Sequence, residues 1–253
     1  MQRTLAFLIF FMPLAAATGM TADKAPATQA TSTQTAPPAE KKAPAADSSG
    51  DLNAVLARMN QSAGTFKTAQ GDFEFETYQR IVDEKDVQKG HIYFRRTDKG
   101  VDAAFNIAGP APKQVVYKDG KVNIFEPKIN QLTVHDVSKN KSDVEAFLSL
   151  GFGARGDDLL KDYAVEMSGW ELVGGVKTAK LVLIPKSEKL RHTYNKIVLW
   201  IDPEQDILLQ QQFFEPSQDY RLAHYTNMKR NAKVPDDAFH VKTNGNTRTI
   251  IPQ

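Results

Sequence analysis

The chain has 253 residues, 41% of them hydrophobic, and 32 basic side chains against 30 acidic ones, for a net charge of +2. So even a balance argues against a dedicated nucleic-acid surface, which needs a concentrated basic face. The chain contains no cysteine, which excludes disulfides, thiolate nucleophiles and a lipid-modified N-terminal cysteine, and fits an exported protein that avoids disulfide chemistry.

Met1-Gln2-Arg3 makes a short basic start, and Leu5 to Ala17 is almost unbroken apolar sequence. That run has the length of a signal-peptide core and is too short to span a bilayer with comfort. Ala15 and Ala17 stand at an A-x-A spacing, so cleavage is expected near Thr18 or closer to Ala22; a retained anchor helix is the other reading. Residues 1–22 are therefore taken as a signal peptide. Residues 23–50 are Ala, Pro, Thr, Ser and Lys with hardly a branched or aromatic side chain. They cannot bury enough apolar surface to offset chain entropy, and a disordered tether is expected. Residues 51–253, about 200 in all, suffice for one domain with a sizeable core.

In chain order, Leu52, Val55, Leu56 and Met59 form one apolar stripe, which predicts a helix from Asp51 to Ala63. Alternation then takes over. Phe73 and Phe75 share one face of a strand, Ile92 and Phe94 another, and Val101, Ala103, Phe105 and Ile107 a third. Asp119-Gly120, between Val115–Tyr117 and Val122–Phe125, is a two-residue hairpin signal, and Gln131–His135 reads as the next strand. Ser142 and Glu145 have the spacing of a capping box before Val144, Phe147, Leu148 and Leu150, which predicts a short helix ended by Gly151 and Gly153. A brief helix is expected at Asp157–Lys161. Strands resume at Tyr163–Met167, Ala179–Ile184, Lys196–Ile201, Ile207–Phe214 and Tyr220–Thr226, with two weaker ones near Phe239–Lys242 and Arg248–Ile251.

Strands in succession with short turns and no β-helix-β rhythm make an antiparallel sheet. A sheet of about ten or eleven strands twists enough to curl. The fold class expected is mainly β: an incomplete, half-open antiparallel barrel with an N-terminal helix and short lid helices over a partly empty hollow. A small barrel or sandwich with a filled core is the alternative.

The chain resembles the LolA-like periplasmic carriers of outer-membrane lipoproteins over most of residues 51–252. The likeness lies in Phe66-Lys67-Thr68-Ala69-Gln70-Gly71-Asp72-Phe73, in Gly90-His91-Ile92-Tyr93-Phe94-Arg95-Arg96, and in Tyr117-Lys118-Asp119-Gly120 with Phe125-Glu126-Pro127 and Gln131. It continues in Leu183-Ile184-Pro185-Lys186 and in Asn231 with Val234-Pro235-Asp236 and Phe239. The resemblance implies a concave face that binds acyl chains, and a strand arginine that hydrogen-bonds the lid when the hollow is empty. Arg96 matches that arginine, although Thr97 stands where the family usually has proline and Arg95 is adjacent. Parity with Ile92 and Phe94 favours Arg96; two solvated strand arginines are the plain alternative.

By alternation the cavity candidates are Phe73, Phe75, Ile92, Phe94, Phe105, Leu183, Ile197, Leu199 and Ile201, with Phe147, Leu148, Leu150 and Phe152 beneath the lid. Aromatic residues on one sheet face also serve as ordinary core. Gly151-Phe152-Gly153-Ala154-Arg155-Gly156 matches G-x-G-x-x-G but lacks the βαβ setting of a dinucleotide site; hinge glycines of a lid fit better. His91, His135, His192, His224 and His240 are scattered, so no metal and no cofactor is expected. There is no G-x-S-x-G elbow. Asp157-Asp158 suits a helix N-terminus. Lys186, Lys189, Arg191 and Lys196 make a basic rim that discourages strand pairing or meets acidic headgroups.

The function expected is a non-catalytic periplasmic carrier of lipoprotein acyl chains or other lipids toward the outer membrane. Its implied partners are an inner-membrane exporter and an outer-membrane acceptor, with only transient membrane contact. A non-transporting sensor or scaffold using the same half-barrel is the second expectation, and a hydrolase on a β scaffold the third.

Overall fold

The computed structural model describes residues 48–252. The segments read as signal peptide and most of the expected tether lie outside the described residues. Among the described residues the first helix, α1 (Ser48–Ala63), opens three residues before Asp51. Twelve strands follow in one sheet: β1 (Thr68–Gln79), β2 (Glu84–Thr97), β3 (Gly100–Ile107), β4 (Lys113–Lys118), β5 (Lys121–Glu126), β6 (Gln131–Asp136), β7 (Tyr163–Val173), β8 (Val176–Pro185), β9 (Lys196–Asp202), β10 (Ile207–Phe214), β11 (Tyr220–Arg230) and β12 (Arg248–Ile250). Their order is β12-β6-β5-β4-β3-β2-β1-β11-β10-β9-β8-β7. Every pairing is antiparallel except β12 on β6. The end strands β7 and β12 do not pair with each other, so the sheet stays an open barrel, as the alternation predicts.

Three short helices lie off the sheet: α2 (Lys141–Ser149), α3 (Gly156–Asp162) and α4 (Glu188–Arg191). The first two fall where the lid is expected. Local chemistry sets the turns. Asp119 and Gly120 have φ of 50° and 73°, and Gly174 and Gly175 have 57° and 83°. Positive φ at both central positions is what a two-residue type I′ hairpin requires. The second pair lets β7 and β8 run well past the predicted Met167 and Ala179, and it was legible as Gly-Gly between two valines.

Three local expectations are corrected. The capping box does not form: α2 begins at Lys141, and its N-cap Asn140 makes no side-chain cap. Glu145 instead accepts a hydrogen bond from the Tyr117 hydroxyl at 3.1 Å, a tertiary partner that outcompetes a local one. The strand predicted near Phe239–Lys242 is absent; Asp236–Phe239 is a single 3-10 turn. Alternation misreads it because Phe239 is buried on the convex face, against Ala104 and Val116, as a strand residue would be. The third concerns the hollow.

The concave face holds a continuous core. Along β1, Ala69, Gly71, Phe73 and Phe75 point inward and are buried, while the residues between them are only partly so. Leu181, Leu183, Ile197 and Leu199 are fully buried. Each large side chain so placed contributes roughly 1.5–3 kcal/mol. The interior is filled by the chain itself rather than partly empty: α1 and the lid supply Leu56, Met59, Val144, Leu148, Leu150, Phe152 and Leu159 to the same core. The cavity beside the lid, between Met59, Leu150 and Leu208, measures only about 20 Å³, room for about one water.

Candidate functional site

The sheet register brings the predicted inward side chains together. Phe73 faces Tyr225 and Phe75 faces Ala223 across β1 and β11. Ile92 faces Phe105, and Leu183 faces Ile197. Ile201 faces Ala179, and Leu199 faces Gln211. The Phe73 and Phe75 rings stack at 4.2 Å between centroids. All nine predicted cavity residues are buried on this face.

The lid reaches into the same surface. Phe152 sits 5.6 Å from Phe94 and 5.3 Å from Tyr225. Phe147, only partly buried, stacks on Tyr194 at 5.7 Å and lies 5.1 Å from Phe213. Leu148 and Leu150 are buried. The four lid residues therefore pack onto the concave face and help to fill it.

Arg96 and Arg95 point to opposite faces, as neighbours in a strand must. Arg96 donates from Nη1 to the Ala63 carbonyl and from Nη2 to the Gly153 carbonyl, both at 2.7 Å. Its guanidinium carbon also lies 5.6 Å from the Phe66 ring centre. One side chain thus ties the end of α1 to the lid loop through the planar fork that only arginine presents. Burial holds its pKa below the usual arginine value, and Asp158 partly offsets that. Arg95 does other work: it pairs with buried Asp102 at 2.7 Å and with Asp236 at 2.6 Å, and covers Phe239 at 4.4 Å. It fastens the C-terminal segment to the convex face.

Gly153 has φ +75°, and a Cβ there would meet the Phe66 ring at 2.5 Å and Arg96 Nη2 at 3.1 Å. At Gly156 a Cβ would meet the backbone of Leu56 at 2.5 Å. The G-x-G-x-x-G run is therefore a set of close approaches that seat the lid against Leu208 of β10, the Phe66 ring and α1 in turn. Asp157 bonds Asn60 in both directions, accepting from Nδ2 at 2.9 Å and donating its N–H to Oδ1 at 3.1 Å.

Sequence reasoning missed Arg230, whose Nη2 donates to the Ser62 carbonyl and to Thr65 Oγ1, both at 2.8 Å. With Arg96 it satisfies carbonyls at the C-terminus of α1, where cations are favoured. It also missed the buried pair Gln211–Tyr225, in which the amide donates to the hydroxyl at 2.5 Å. Strand parity alone would have placed Gln211 inside, beside Phe213. The predicted basic rim is consumed locally. Lys189 bonds Asp143 of α2 at 2.9 Å, Lys186 and Arg191 bond carbonyls, and Lys196 covers Phe214 at 4.0 Å. Among the described residues no group of three or more His, Asp or Glu could hold a metal ion, and no helix is long and apolar enough to cross a membrane.

An open barrel lined with aliphatic and aromatic side chains, under a lid tied by a strand arginine, is the arrangement that the resemblance implies. The family described as "Outer membrane lipoprotein carrier protein LolA" matches residues 64–242. The chain belongs to the LolA family. Among solved structures it is similar to MucB (TM-score 0.50, 17% identity, 76% of this chain and 63% of that one). It is also similar to an uncharacterised conserved protein from Thermus thermophilus (TM-score 0.50, 11% identity, 80% and 99%). The MucA/MucB complex of Pseudomonas aeruginosa matches at TM-score 0.45 and 19% identity, over 78% of this chain and 62% of that one. The chain thus spans less than two thirds of MucB. At these identities the likeness is one of fold. No curated protein matches the chain.

Proposed function

We propose that this LolA-family chain is a non-catalytic periplasmic carrier, exported by its N-terminal signal, that shelters acyl chains on the concave face. In this reading the filled interior is the closed, cargo-free state. The observation that carries it is the double hydrogen bond of Arg96 to Ala63 and Gly153. An entering acyl chain would lift Phe147, Leu148, Leu150 and Phe152 and break that bond. It would replace the lid's own apolar contacts, each buried CH₂ contributing about 0.8 kcal/mol. Because one set of apolar contacts is exchanged for another, the net affinity stays small enough for hand-over from an inner-membrane exporter to an outer-membrane acceptor.

The test is to purify the protein from its envelope and look by mass spectrometry for bound lipid or acylated protein, alongside uptake of an apolar fluorophore. Arg96→Leu removes the competitor for the open state, so it is expected to take up more probe and release cargo more slowly. Absence of any lipid together with no probe uptake by either form would overturn the carrier reading.

The filled interior supports a second reading, a scaffold that binds a partner protein without transporting lipid. A pull-down that recovers an envelope regulator and no lipid would favour it.

A further inference from the structure

A second concavity lies on the convex face, away from the lid. Asn106, Gln114 and Phe125 face one another across β3, β4 and β5, forming one row. Tyr93 of β2 adds a second ring beside them. The segment after Asn231 crosses over this row, pinned by Asp236 to Arg95 and by Phe239 to Ala104 and Val116. Between segment and sheet is an open groove of about 310 Å³, at the lower end of the range for small-molecule sites.

The chemistry of its lining is specific. Among the described residues the Asn106 amide and the Tyr93 hydroxyl make no hydrogen bond, and Gln114 donates only a long 3.4 Å bond to the Ala238 carbonyl. The charged groups in the wall are already paired. Lys242 bonds Asp237 at 2.9 Å; His240 Nε2 lies 2.9 Å from Lys118 Nζ and its Nδ1 lies 3.0 Å from the Asp236 carbonyl. With Lys118 able only to donate, Nε2 accepts and Nδ1 donates to the carbonyl. The site therefore offers two carboxamides, a phenol and two aromatic side chains in its lining, with its charges cancelled. An anion would find no free cation there. A hydrocarbon would strand the amides without partners, which is unfavourable. A ring bearing hydroxyls at its edge and C–H groups on its face satisfies both halves of the lining.

We propose that this pocket binds one pyranose unit of a neutral saccharide, either as a free sugar or as a unit of a glycan. The aromatic rings carry its C–H face, and Asn106 and Gln114 carry its hydroxyls. The site is separate from the acyl-binding face.

The test is a titration of the folded protein with N-acetylglucosamine and with its β-1,4-linked trimer, followed by amide NMR shifts. The expected result is shifts at Tyr93, Asn106, Gln114, Phe125 and residues 235–242, with Asn106→Ala plus Gln114→Ala weakening binding about tenfold or more. That variant should keep wild-type apolar-probe uptake, which reads the other face. Tighter binding of the trimer would identify a glycan, and equal binding a free sugar. No shifts at millimolar sugar, or shifts confined to the concave face, would overturn the proposal.

Discussion

At the scale of single residues, Arg96 and Gly153 form one device. The guanidinium reaches the Gly153 carbonyl because nothing stands between the loop backbone and Phe66. Gly153→Ala would force a side chain into the left-handed region, at roughly 1–2 kcal/mol, and press a methyl group against Phe66. A lowered melting temperature and increased apolar-probe uptake are expected; an unchanged melt would show that the loop relaxes freely. Gly109 and Gly169, also at positive φ, have nothing within 4 Å of such a Cβ, so alanine there should leave probe uptake untouched. Arg95, adjacent to Arg96 in sequence, belongs to a different device, and its variants should affect the C-terminal segment instead of the lid.

At the scale of elements, that segment hangs from two anchors. Phe239 is buried against Ala104 and Val116, and Asp102 is buried beneath Arg95. Asp102→Asn removes the buried one of Arg95's two carboxylate partners and leaves only exposed Asp236, so the segment loses much of this anchor. Hydrogen exchange in residues 234–242 should rise sharply in this variant. Protection that stayed at the wild-type level would mean that Phe239 alone holds the segment. By contrast, the Lys189–Asp143 bridge joins two well-exposed side chains. Such a pair contributes about 0–1 kcal/mol, so Asp143→Ala should shift the melt by little and leave the lid seated on its apolar contacts.

At the scale of the whole molecule, stability should fall at both ends of the pH range. Asp72, hydrogen-bonded by Asn227 and His91, and Glu76, hydrogen-bonded by Tyr220 and paired with Lys85, have lowered pKa values. Their contribution is present above the ordinary carboxylate pKa of about 4 and is lost as acid protonates them in the folded state. Burial raises Tyr163 and Tyr194 to about 12. Their contribution is complete below about pH 10, where the unfolded chain begins to ionise, and is lost between there and about 12. A melting curve flat from about pH 5 to 9 and falling on both sides is the expected outcome, with the buried tyrosines' share of the tyrosinate absorbance appearing only as the chain unfolds. Full tyrosinate formation below the unfolding transition would show that the interior admits hydroxide without global unfolding.

Much of this molecule was written in local sequence. Period-two alternation fixes which side chains share a face, so the nine inward residues and the parity of Arg96 could be read directly. Asp119-Gly120 and Gly174-Gly175 encode their hairpins through the positive φ that their positions demand. What only the tertiary structure decided were the contacts between residues far apart in the chain. Glu145 left its own helix end for Tyr117, Phe239 was buried without a strand, and Arg96 found carbonyls at residues 63 and 153. The state of the hollow belongs to the same class. Alternation says that a face is apolar, but whether lid, helix or ligand covers it depends on where distant elements come to rest, and no local pattern carries that information.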